Sequence, residues 1–257
     1  MPQSQSPALA NVESPGDTRR ETTEGTTDPK HRAWAELDGL VVSTELTVIS
    51  IIQGIALYFL TSATIDVVTR RQWEFLPHVL SGLFIIFLLW SRSLVHIFTV
   101  IGWPLSLGHN YLYILGTLLE SVLFSQVASP LAWWALSTLY TAAMLYLAVY
   151  DIGLIRDRGP GGSFRVETQG SKSAELRSLL EAEQCTQAHY VLPGMLAVSA
   201  AMTALHWRAP GWLAEVHGTL WLGVLQTLGF GLYVAYTVRW CAGLGPRITA
   251  ARAERMS

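Results

Sequence analysis

The chain has 257 residues, of which 51% are hydrophobic and 14% charged, and its formal net charge is −2. Soluble domains carry about 25% charged residues, so the deficit points to membrane spans. Near-neutral charge without a basic groove excludes the usual nucleic-acid footprint, and two cysteines (Cys185 and Cys241) with no CxxC exclude a zinc site or a disulfide framework.

Residues 1–33 are rich in Ser, Thr, Pro and Glu. They lack the basic-then-apolar layout of a signal peptide and read as a disordered cytoplasmic tail. A transmembrane domain over 34–240 follows, with six apolar segments near 40–63, 76–101, 111–127, 130–155, 190–207 and 212–238. Each approaches the ~20 apolar residues that cross a ~30 Å hydrocarbon layer. The expected fold is all-α, a six-helix polytopic membrane protein. Tryptophans such as Trp73, Trp133, Trp134, Trp207 and Trp212 fall near the segment ends, as an interfacial belt requires.

The connections between spans three and four and between five and six are short, which predicts antiparallel hairpins. The long connection is the cytoplasmic loop 156–189. Its SAELRSLLEAEQ stretch puts Leu176, Leu179 and Leu180 on one face of a short interfacial helix. Residues 241–257 read as a cytoplasmic tail. With the N-terminus inside, Arg70, Arg71 and Arg208 fall on the far side and Arg92 within the membrane, leaving the other thirteen of 17 basic residues cytoplasmic. Both termini are therefore expected inside, at a cell membrane of cytoplasmic type.

The second span carries Arg92 and His96 four apart, on one helical face. An arginine at that depth costs several kcal/mol unless it meets a partner or water. At ~1.5 Å per residue, Arg92 and Glu120 both lie ~13–14 Å from the cytoplasmic end, Glu45 and His96 ~7–8 Å, Asp151 ~6 Å, and Gln53 and Gln226 ~18–20 Å. Pairs of Arg92 with Glu120, and of His96 with Glu45 or Asp151, follow from depth alone. They serve either as packing contacts between helices or as a path or cavity for ions. Glu45 is left as the carboxylate facing water, because the acids outnumber the cations. Asp151 reads as a solvated helix end.

His78, His206 and His217 sit near the far surface and read as interfacial helix-end residues, not haem or metal ligands. No GxSxG, HExxH, P-loop or GxGxxG occurs, so no catalytic residue, cofactor or metal is assigned and the chain reads as a non-enzyme.

Spans one to three resemble the six-helix potassium channels of endolysosomes and prokaryotes, whose first helix carries an Arg-x-x-x-Phe-Ser-Asp signature. STELTVISIIQGIALYFL lies where that helix begins, FLPHVLSGLFIIFLLWSRSLVHIF looks like the second, and Asn110 opens the third. The signature is not retained: Glu45 takes the Asp position, Ser43 and Thr44 those of Phe and Ser, and Gly39 that of Arg. The resemblance implies a cation channel built as a homo-oligomer, with the first span lining the pathway. Glu45 would then lie at the cytoplasmic mouth and Ile49 and Ile52 at a dewetting gate. The competing expectations are a small-solute or proton-coupled transporter using Glu45, Arg92, His96 and Glu120, and a non-catalytic scaffold or sensor. The bilayer, further copies and an inorganic cation are the expected partners.

Overall fold

A computed structural model describes residues 29–99, 107–157 and 171–256, all of them helix or short turns with no strand. The chain divides into Met1–Leu37, described only for its helical backbone from Pro29, and Asp38–Ser257, which holds the bundle. The helices are α1 (Pro29–Thr69), α2 (Leu76–Thr99), α3 (Leu107–Ser125), α4 (Pro130–Asp157), α5 (Ser171–Thr186), α6 (Leu192–Arg208), α7 (Pro210–Glu215) and α8 (Gly218–Met256). Among the described residues, five stretches are long and apolar enough to cross a membrane: Leu46–Thr69, Trp73–Val95, Pro130–Gly153, Ser178–Arg208 and Gly218–Ala250. The chain is thus an all-helical, multi-pass membrane protein.

The turns follow from local chemistry. At the end of α1 the N–H of Gln72 reaches Val67 O at 2.9 Å and that of Arg71 reaches Val68 O at 3.1 Å. This is a Schellman cap, and its left-handed position is taken by Arg71 at φ 56°. A 3₁₀ turn, Trp73–Phe75, runs directly into α2. Between α3 and α4 only residues 126–129 intervene; Ser129 O accepts from Trp133 N at 2.8 Å, and Pro130 opens the helix at a position that needs no donor. Four residues between two packed helices make the antiparallel hairpin expected from the sequence.

The fifth and sixth apolar segments differ from expectation. Residues 171–191 are helical and continuous with α6, so the 156–189 segment is a loop at most over its first part, and residues 158–170 lie outside the described residues. Leu176 and Leu180 are buried against Leu244 of α8, with Leu179 half-buried. The helix passes through one π turn, Gln187–Val191, closed by Leu192 N–H on Gln187 O. Pro193 supplies the reason. It has no N–H for the carbonyl of His189 and its ring crowds that carbonyl, so the preceding turn widens. The 212–238 segment is also divided: α7 ends at Glu215, His217 turns the chain at φ 50°, and α8 continues to Met256 through the expected tail.

A close seam and an apolar core hold the bundle. Along α8, Gly223, Thr227 and Gly231 recur every fourth residue toward α2. A Cβ on Gly223 would lie 3.1 Å from both His78 Cε1 and Pro77 Cβ, and Thr227 Oγ1 lies 2.7 Å from Pro77 O and 3.0 Å from Ser81 Oγ. Small residues let these helices approach closely. The apolar core lies at the same end as this seam, where Ala56, Leu60 and Val67 of α1 meet Ile85 and Ile86, Leu123 and Phe124, Trp133 and Trp134. Those two tryptophans are buried within the core, not in an interfacial belt; Trp133 Nε1 donates to Gln226 Oε1 at 2.9 Å. Trp73, Trp207 and Trp212 are exposed, as a belt needs.

Candidate functional site

Arg92 projects from α2 toward α5 and α8. Its Nη2 donates to Gln184 Oε1 at 2.6 Å, and its Nη1 to the Tyr233 hydroxyl at 3.1 Å. Both contacts lead onward. Gln184 Nε2 donates to Asp151 Oδ2 at 3.4 Å, and Asp151 Oδ1 accepts from His109 Nδ1 at 2.8 Å. On the other side the Tyr233 hydroxyl donates to Gln187 Oε1, whose own Nε2 donates to Glu183 Oε1 at 2.7 Å. Glu183 Oε2 also accepts from the Tyr236 hydroxyl at 2.7 Å.

Eight side chains therefore form one path, His109–Asp151–Gln184–Arg92–Tyr233–Gln187–Glu183–Tyr236. One cation stands at its centre. A carboxylate lies on each arm, separated from the guanidinium by neutral groups that both accept and donate. This arrangement meets the cost of embedding Arg92 without a direct ion pair, because each relay polarises the next. The π turn belongs to the site. The extra residue follows Gln187, so it sets the rotation of Gln184 and Gln187 together relative to α6. Widened turns recur where a helix serves a site of this kind.

The sequence-predicted residues are distributed as follows. Arg92 and Asp151 belong to the path, and Asp151 is buried against His109, not solvated at a helix end. The expected Arg92–Glu120 pair is absent: Glu120 is fully buried and neither of its oxygens has a hydrogen-bond partner. Equal depth does not imply equal azimuth, and the two side chains leave their helices toward different neighbours. Gln53, buried on α1, lies next to Glu120 instead. Gln226 binds Trp133 in the core. Ile49 is buried within the chain against Leu89 and Tyr113, and Ile52 is half-buried. The side chains of Glu45 and His96, and with them the pairing proposed for His96, lie outside the described residues.

Gln184, Gln187, Glu183, Tyr233, Tyr236 and His109 escaped the sequence reading. One signal was available: no helix breaker stands between Ser171 and Leu192. The polar E-x-E-Q-x-x-Q run, Glu181 to Gln187, could therefore be read as the first turns of the fifth span.

A cleft of about 390 Å³ separates α6 from α8, with Trp134, Ser137 and Thr141 of α4 among its walls. Its lining is mainly apolar, from Val198, Met202, Leu225 and Phe230, and its polar contributors include Gln226 and Tyr233. Tyr233 is thus shared between the cleft and the path. At the far end of the bundle, His78 and His206 flank Trp134 at ring separations of 6.3 Å each, both buried, whereas His217 is exposed. Two of the three histidines read as interfacial are therefore core residues. Comparisons with family models, curated proteins and solved structures return no match.

Proposed function

We propose that this chain is a small-solute transporter coupled to a proton or cation, with the path centred on Arg92 as its ionisable machinery and the α4–α6–α8 cleft as its solute site. The observation that carries the reading is the double role of Tyr233. A solute seated in the cleft touches the phenol that holds Arg92 and Gln187. Solute and charge network are then coupled through one hydroxyl. The apolar walls favour an apolar or amphiphilic solute with one hydrogen-bonding group. In this reading α3, 19 residues long, makes a sixth crossing, both termini face the cytoplasm, and the path occupies the cytoplasmic half of the bundle.

The test is flux in liposomes with a pH-sensitive dye and with Na⁺ or K⁺ gradients. Wild-type protein should move protons or cations in response to a voltage or pH gradient. Tyr233→Phe, which removes one oxygen and keeps the ring, should lower the rate about tenfold or more while its melting temperature stays close to wild type. Absence of any ion flux from folded wild-type protein would overturn the reading.

A cation channel assembled from several copies is the second reading. It draws on the large exposed aliphatic and aromatic side chains of α1, Ile51, Ile55, Tyr58 and Ile65, which give that helix an outer face for a neighbouring copy or for lipid. Saturation separates the two: carrier flux levels off with solute concentration, and channel current follows voltage without it.

A further inference from the structure

Glu120 and Gln53 stand apart from the path around Arg92. Glu120 has no exposed surface and Gln53 is 7% exposed. Among the described residues neither the carboxyl nor the carboxamide is within strict hydrogen-bond geometry of any third group, and they stand close enough only to bear on each other. The two side chains are neighbours across the space between α3 and α1. A buried carboxyl with one neutral carboxamide beside it is poorly satisfied, and a bare carboxylate there is costlier still.

Among the described residues no counter-charge is seated on Glu120. Tyr140 of α4 is the titratable group that bears on Glu120, and Tyr113 of α3, Tyr233 of α8 and Arg92 of α2 bear in turn on that phenol. Arg92 is already committed to Gln184 and Tyr233. Among the described residues, α1 meets its neighbours through side chains such as Ala56, Leu60 and Val67. Gly54, the next residue along α1, lies on the exposed outer face of that helix.

We propose that Glu120 and Gln53 form an exchangeable site for a single positive charge, a proton or an alkali-metal ion, entered from the α1 side. The carboxyl supplies the charge and the carboxamide oxygen a second ligand or acceptor. Small displacements of α1 admit the ion. The site is independent of the transport reading, since its occupancy is chemical and needs no flux.

The probe is dicyclohexylcarbodiimide, a membrane-soluble reagent, applied to the full-length protein in nanodiscs and followed by peptide mass spectrometry. The carboxyl oxygen bonds to the carbodiimide carbon, the acid proton passes to a carbodiimide nitrogen, and the adduct rearranges to a stable N-acylurea. A Glu120 adduct that is lost in Glu120→Gln, and whose rate falls as pH rises, supports the site with a proton in it. Slowing by about tenfold on adding Na⁺ or K⁺ at fixed pH supports it with an alkali ion. Gln53→Leu should change the labelling rate several-fold, the scale of one hydrogen bond, in either case.

No Glu120 adduct at any pH in folded protein, while the SDS-unfolded chain reacts, would overturn the proposal. So would labelling indifferent to both pH and alkali ions. Labelling of Glu120 by a protein that moves nothing would sink the transport reading and leave this one standing.

Discussion

Arg92 is the residue on which sequence and structure agree in kind and differ in detail. That it must be sheltered follows from its depth alone. What shelters it could not be read from depth, because height along a span leaves rotation about the helix axis undetermined. The acid at matching height, Glu120, turned out unpartnered, and the shelter comes from Gln184 and Tyr233. Replacing Arg92 by Met strands Gln184 and Tyr233 and leaves two acids without their cation. The expected cost is about 2–3 kcal/mol, toward the lower end for broken charged networks because the side chain is half-buried. Glu120→Gln breaks no hydrogen bond and should cost under about 1 kcal/mol. Thermal unfolding in detergent checks the ranking, and equal losses would contradict the network. Glycines give a second pair. A Cβ at Gly82 would sit 2.8 Å from Leu60 Cδ1 and 3.1 Å from Phe124 Cε1, where three helices meet, whereas one at Gly54 meets nothing within 4 Å. Gly82→Ala should destabilise by about 1–3 kcal/mol. Gly54→Ala should be neutral or gain up to about 1 kcal/mol of helix propensity.

Among the elements, the α3–α4 hairpin and five of the six apolar segments were legible because periodicity, Pro and short connections report local physics directly. The run from Ser171 into α6 was not, since its polar residues resemble a surface linker until their partners on α2, α4 and α8 are known. Its π turn is a small defect with a defined task. Deleting one residue within 188–191 would restore the ordinary spacing and rotate the preceding segment by about 100° relative to α6. Gln184 and Gln187 could then no longer face Arg92 and Tyr233. The deletion should lower stability at least as much as Gln184→Leu in the same melt, and flux should be lost. A deletion melting like wild type would show that the turn has no part in the site.

For the whole molecule, the excess of Lys and Arg on one set of connections predicts that both ends of the chain lie on the same side of the membrane. Five crossings would separate them, so the assignment of α3 as a crossing is open to a direct check. Single cysteines at the two termini, in a background lacking Cys185 and Cys241, should react alike with an impermeant maleimide in sealed vesicles of known sidedness. A cysteine placed at Ala209, between α6 and α7, should show the opposite accessibility. Unlike termini would remove α3 as a span. The unbroken rod from Ser171 to Arg208 carries one last implication. Its leading end rests on Leu244 through Leu176 and Leu180, and its middle carries both amides that hold the guanidinium and the phenol. A twist imposed at the surface, by lipid packing or a docked protein, would turn both amides together, so surface and centre act as one lever.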